Sequence, residues 1–503
     1  MDFNRENVSY DLIKEHKIGL NVSAKEMLEA GSKLLSVNAY ANCGRCEVLN
    51  GEILFEGLVH FCAVCKNQEG QIKKIEKTER FSQSERISGA TPKSKMLVST
   101  SVERVRGYVE SGNLLLSCTA NVSGILITPM EKEILTDLSG DDVRKKEKSI
   151  SADKVSFAQS IRFNVNQETE LSPRVPEAEQ ILCICSDVSV REAHLSAGQL
   201  IVGGEITYQT VYASKDEFEP IVQVTDKCQF SSVQEMPEAQ GTDVIVHLEV
   251  EEVHGEISNS DIGEARIISY AVSLAGYAYA TEKVEWNVLS DAYSVKNVLE
   301  TEYEPLNVTC LGENIKTTVN KNIAVPLPEG KIPISRISSA TFTPHVIKCE
   351  SVSNKTRLDC SGEVSVIYTA SGTGETEGFN TTVAFELWCD NVDASKVLAL
   401  LSINEMQATL RTGNEIELRL GFDIQALSVE EKECLIMQKA EESATEQMPE
   451  FGIIIYNTHK NEQVWDICKK FGVDEDELRK INPDITDEIQ AGTRLYVFRK
   501  LRV

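Results

Sequence analysis

A chain of 503 residues with 78 acidic against 51 basic side chains carries a net charge of -27 and is long enough for three or four domains. A surface this acidic repels phosphate backbones, which argues against nucleic acid as a partner. No apolar stretch approaches the roughly twenty residues of a membrane span. The start, MDFNRENVSYDLIKEHKIG, is too charged for a signal peptide, so the expectation is a cytoplasmic protein whose 14 cysteines are thiols.

Taken in chain order, one pattern occurs three times. In the first copy Asn50-Gly51 is a hairpin signal, and the chain passes Gly57 into Leu58 to Val64. Val102 to Val109 and Leu114 to Val122 follow around Ser111, Gly112 and Asn113, and the copy closes on Ile134 to Ser139. The second copy runs from Ala197 through Gly204 into Glu205 to Ala213. It continues with Val244 to Ile257 and Ala265 to Leu274, and closes on Val288 to Ser294. The third leads from Lys355 through Gly362 into Glu363 to Ala370, then Leu400 to Leu410 and Glu415 to Ile424. Gly57, Gly204 and Gly362 hold one register, 147 and 158 residues apart. Ile416, Leu418, Leu420 and Phe422 alternate with polar or small residues, the pattern of strands that bury one face.

Glu430 to Glu450 is acidic and polar, with Pro449 near its end. It reads as a linker with a short helix at Lys432–Lys439. Ile453 to Tyr456 then suits a short strand, and Val464, Ile467, Cys468 and Phe471 give helical spacing from Glu462 to Phe471. Gly472 ends that helix. Asp474 caps a second one with Glu477 as its partner, Leu478 and Ile481 are its buried positions, and Asn482-Pro483 stops it. Gly492 turns the chain into a closing strand, Arg494 to Phe498.

This C-terminal order closely resembles a LysM module. Three β units before a LysM resemble the spore-coat family that joins SPOCS domains to a C-terminal LysM, and the phrase from Asp291 to Ser294 and the Gly-Glu strand starts at Gly204 and Gly362 fit that resemblance. The resemblance implies a mainly β protein: three antiparallel SPOCS-like domains in tandem (1–150, 151–300, 301–432), an acidic linker (433–450) and a βααβ LysM domain (451–503). It further implies a non-enzymatic morphogenetic scaffold of the mother-cell cytoplasm at the forespore surface. Its LysM would bind the stage IV spore-coat ATPase and its β domains other coat proteins, with no cofactor and no membrane insertion.

LysM modules mostly bind N-acetylglucosamine polymers, through the loop after the first strand and the loop after the second helix. The family's Gly, acidic and Thr or Ser positions in the first loop are here Asn461, Glu462 and Gln463. A side chain where the backbone would approach sugar weighs toward a protein partner. A peptidoglycan-binding protein of the cortex or wall is the alternative. The candidate contact residues are Ile453, Lys460, Asn461, Glu462, Trp465, Pro483 and Ile485. Trp465 either packs the first helix or centres a contact patch.

Cys43, Cys46, Cys62 and Cys65 have the spacing of a structural zinc site. A hairpin centred on Asn50-Gly51 pairs Cys46 near Phe55 and Cys43 near Leu58, leaving Cys62 roughly 13 Å further along. Copies two and three lack these cysteines, so the expectation is small hydrophobes on buried strands, with zinc as the rival. No nucleophile elbow accompanies the 7 histidines, and His247 and His254 read as surface or packing residues, so no enzyme is expected.

Overall fold

A computed structural model of the protein describes residues 2–237, 244–353, 355–390, 396–447 and 452–499. Each copy of the repeat is a six-stranded unit. The first holds β1 (Asp2–Met27), β2 (Lys33–Leu49), β3 (Glu52–Lys66), β4 (Ile72–Arg86), β5 (Lys95–Glu110) and β6 (Asn113–Ser139). The second holds β7 (Val143–Glu170), β8 (Ala178–Ser196), β9 (Gln199–Ser214), β10 (Ile221–Glu235), β11 (Val244–Asn259) and β12 (Ala265–Ser294). The third holds β13 (Asn297–Pro326), β14 (Ile334–Val352), β15 (Lys355–Ala370), β16 (Thr376–Asp390), β17 (Lys396–Thr412) and β18 (Glu415–Gln447).

In every unit the second, third and fourth strands form an antiparallel meander. The first, sixth and fifth form a second sheet with the sixth strand in the middle. Alternating apolar residues of the two sheets meet in one core per unit, such as Phe55, Phe61, Leu114 and Leu116 in the first. The three registered glycines lie in the central meander strands for one shared reason. A Cβ would fall 2.4 Å from the ring of Phe81 at Gly57, 2.8 Å from Phe230 at Gly204 and 2.1 Å from Phe342 at Gly362. Each glycine leaves room for an aromatic ring from a neighbouring strand.

The outer strands are far longer than the five or six residues typical of a strand: β1 has 26 residues, β7 28 and β13 30. Beyond the sandwiches they continue with β6, β12 and β18 as two-stranded ribbons. An isolated ribbon has no second layer to bury its apolar side. Here the three ribbons supply one another: Val8, Tyr10, Ile150, Val288, Val308 and Ile436 share one core, and Leu138, Leu289, Ala292 and Met437 share the next.

The units are therefore not beads on a string but a ring with pseudo-threefold symmetry. The joints run in a cycle. Val155 N–H donates to Asp11 Oδ2 at 2.7 Å, Leu311 N–H donates to Asp153 Oδ2 at 2.5 Å, and Ile13 N–H donates to Thr309 Oγ1 at 3.2 Å. Burial raises the pKa of both aspartates, and the backbone N–H each accepts acts against it.

The expected divisions at 150/151, 300/301 and 432/433 fall inside β7, β13 and β18. Residues 433–447 are neither linker nor helix but the end of β18, with Cys434, Ile436 and Met437 inward and Glu433 and Leu435 outward. A ribbon buries only one side, so its composition is as polar as a linker's. Residues 448–450, including Pro449, lie outside the described residues.

The C-terminal unit contains β19 (Ile453–Asn457), β20 (Glu462–Gln463), α1 (Val464–Phe471), α2 (Glu475–Ile481), β21 (Glu488–Ile489) and β22 (Arg494–Phe498). The helix expected from Glu462 starts at Val464, because Glu462 and Gln463 pair as a strand with Ile489 and Glu488. Gly472 ends α1 in the left-handed region at φ 59°. Asp474 caps α2, accepting Asp476 N–H at 3.1 Å. Asn482 donates to Leu478 O and Tyr496 O and accepts Tyr496 N–H, which fixes the end of α2 to β22. Among the described residues no helix is long and apolar enough to cross a membrane.

Candidate partner-binding surface of the C-terminal unit

The small β19–β22 sheet covers the helices with one face and leaves the other bare. Ile454, Tyr456, Leu495 and Val497 point inward, joining Val464, Ile467, Cys468 and Leu478. Period-two alternation then sends Ile453, Ile455, Tyr496 and Phe498 outward, at 70%, 58%, 46% and 41% exposure. Register pairs Ile453 with Phe498 and Ile455 with Tyr496, so four large apolar side chains form one contiguous patch. Such a patch on a surface otherwise rich in charge marks an interaction site.

The helical side of the unit is already occupied by the second six-stranded unit. Trp465 Nε1 donates to Asp291 Oδ2 at 2.8 Å, and its ring meets that of Tyr293 edge-on at 4.9 Å. Tyr293 O–H donates to Val473 O at 3.0 Å from a fully buried position. Arg144 Nε donates to Asp474 Oδ2 at 2.8 Å. Burial pushes the Asp474 carboxyl up, but the Arg144 and Asp476 donors and nearby cations more than offset this and hold it below its ordinary value. Lys146 Nζ reaches Gln463 Oε1 at 3.0 Å, and Arg499 donates to Val295 O at 2.8 Å.

The residues singled out from sequence thus fall into three places. Lys460 and Asn461 in the first loop and Pro483 and Ile485 after α2 lie on loops that the β20–β21 pair brings alongside, and Asn461 Oδ1 accepts Ala491 N–H at 3.3 Å. Glu462 belongs to this group but is turned toward Tyr456, whose O–H lies 3.0 Å from each of its carboxylate oxygens. Ile453 joins the bare sheet face instead. Trp465 is half-buried against the body of the protein. Ile455, Tyr496 and Phe498 were not singled out; the in-out alternation of β19 and β22 is the signal that finds them.

The four cysteines with zinc spacing do not converge. Cys65 is buried in the first core, whereas Cys62 donates to Leu182 O of the second unit at 3.0 Å. Cys46 pairs with Phe55 as expected, and Cys43 with Gly57 through a register shift. Burial pushes the thiols of Cys43 and Cys65 up to about 11 and that of Cys46 to about 12, which disfavours the thiolates that zinc requires. Among the described residues no group of three or more His, Cys, Asp or Glu side chains is placed to hold a metal ion. His247 lies 2.9 Å from Glu249, and His254 lies 2.8 Å from Glu252 on the exposed side.

No curated protein and no solved structure matches this chain. Residues 177–258, which span β8, β9, β10 and nearly all of β11, match the family model described as SipL, SPOCS domain, so this part of the second unit is similar to a SPOCS domain.

Proposed function

We propose that this protein is a non-enzymatic spore-coat scaffold whose C-terminal unit is a LysM-type adaptor. In this reading the ring forms the body, working in the mother-cell cytoplasm and offering its β units to other coat proteins. The C-terminal unit attaches the body to the forespore surface by binding the spore-coat ATPase.

The observation that carries the reading is the bare face of Ile453, Ile455, Tyr496 and Phe498 on a unit whose helical side is held by the body. A patch of aromatic and branched side chains suits a protein partner, since such residues supply most of the energy at interface centres. The SPOCS match in the second unit supports the sporulation setting.

The test is binding of the full chain to the purified coat ATPase, with Ile455→Glu and Tyr496→Glu as variants. Each should weaken binding by about tenfold or more while leaving the melting temperature unchanged. Variants that bind the ATPase normally but lose affinity for chitin oligomers would replace this reading with glycan recognition.

A further inference from the structure

At the centre of the ring lies a cavity of about 1000 Å³ lined by all three units. Its size suits a ligand site. All three units contribute cations to the wall: Lys17 on β1, Arg191 on β8, and Lys316, Lys348 and Lys396 of the third unit, of which Lys348 and Lys396 are already paired with Glu350 and Glu431. Lys17 and Lys316 hold equivalent positions, since Lys17 pairs with Ser123, four residues from Ile127, and Lys316 with Gln425, four residues from Val429. Ile127 and Val429 are in turn the partners of Ile13 and Leu311 at the ring joints.

Lys17 and Lys316 have only weak partners. Lys17 Nζ lies 3.3 Å from His345 Nε2 and 3.3 Å from Val346 O, and Lys316 Nζ donates to Val190 O at 3.3 Å. Among the described residues neither forms an ion pair. Burial, with the neighbouring charge of Arg191, holds the Lys316 ammonium below the ordinary lysine pKa.

Three of the four wall carboxylates already have partners, Asp423 within the wall itself. Asp187 accepts Ile403 N–H at 2.8 Å, Glu249 accepts Thr100 N–H at 2.7 Å, and Asp423 meets Arg191 at 2.9 Å. Glu15 is the remaining one, and burial raises its pKa. Two ammonium groups turned into a shared cavity with no carboxylate in ion-pair contact are costly unless an anion completes them.

We propose that this axial cavity binds a small polyvalent anion of the carboxylate or phosphate class, held by Lys17, Arg191 and Lys316. The ligand touches all three units and so stabilises the closed ring in proportion to its occupancy. The inference stands apart from the adaptor reading, which concerns the C-terminal unit.

Citrate and inorganic pyrophosphate, titrated calorimetrically into the full chain at constant ionic strength with glycerol as the neutral control, test it. At least one of the two anions should give saturable binding with a raised melting temperature; which of them does so separates the carboxylate from the phosphate source. Lys17→Met or Lys316→Met should weaken binding about tenfold or more. Glu15→Gln should tighten it by removing a like charge, and Lys73→Met on the outer β4 should leave it unchanged. Absence of saturable binding for both anions overturns the proposal, as does unaltered affinity in the Lys17→Met/Lys316→Met double variant. Should the lysine variants fail to fold, Glu15→Gln decides, and no gain in its affinity counts against the site.

Discussion

Asp291 takes the indole N–H of Trp465 at 2.8 Å, and the same carboxylate takes Lys469 Nζ at 2.5 Å and Tyr303 O–H at 2.7 Å. Burial alone would raise its pKa, but these three donors more than offset that and hold it below its ordinary value. The corresponding phrase of the first unit has Asp137 on β6, which takes Lys145 of β7, in the ribbon of the second unit, at 2.5 Å. One recurring aspartate thus ties its ribbon to that of the following unit in one copy and serves as the socket for the C-terminal unit in the next.

Asp291→Ala should therefore release the C-terminal unit without unfolding the ring. Hydrogen bonds to a charged group contribute roughly 1.5–3 kcal/mol each, and Trp465→Phe, which loses only one of them, should cost less. Hydrogen exchange along α1 measures both. Unchanged protection in Asp291→Ala would show that the docking is held elsewhere.

Asp187 makes the stability of the ring depend on pH. Burial pushes Asp187 up to about 7, with the nearby Glu249 and Asp423 adding to the rise and the N–H groups of Ile403 and Val188 opposing it. The unfolded chain releases this proton near the ordinary value of 3.8, while the folded ring keeps it to about 7. Within that window the folded state binds more protons, so the contribution of Asp187 to stability falls as pH rises and is constant above it. Asp187→Asn keeps an acceptor but cannot ionise. Urea titrations at several pH values should show a shallower decline from pH 4 to 7 than the wild type, with a parallel decline counting against this account.

Truncation separates the two ends of β18. Removing residues 448–503 should leave one cooperative melting transition, although it uncovers Tyr293. Removing residues 433–503 also strips the ribbon partner of β13 and takes Ile436 and Met437 from two shared cores. Large-to-small losses of this kind cost about 2–5 kcal/mol per side chain, so that chain should melt far lower or not fold. Equal melting temperatures for the two truncations would return residues 433–447 to the status of a linker.

Gly204→Ala should destabilise the second unit by about 1–3 kcal/mol, since its Cβ would overlap both Ser189 O at 2.3 Å and the Phe230 ring at 2.8 Å. The double variant with Phe230→Leu should recover part of that loss. Additive costs in a thermal melt series would mean that ring and glycine are not coupled.

The spacing of Gly57, Gly204 and Gly362 made the repeat legible because the same packing problem recurs at the same register. The strands around those glycines and the order of elements in the C-terminal unit were legible for the same local reasons. The ribbons were not. Their apolar sides are buried only by the other two units, and register shifts such as that at Glu302/Tyr303 turn Ile436 and Met437 inward together, which breaks the alternation a strand would show. The apolar face of the C-terminal unit was half legible: Ile453 stood out, while Tyr496 and Phe498 read as ordinary residues of a closing strand.

One joint of the ring differs in kind from the other two. Asp11 and Asp153 hold their neighbours by carboxylates, whereas Thr309 holds Ile13 by a neutral hydroxyl at 3.2 Å, an intrinsically weaker bond. That weaker latch joins the last unit synthesised to the first. The ring consequently has a seam: two joints that can form as the chain emerges, and a third that closes only when all three units exist and parts most readily when they are pulled apart.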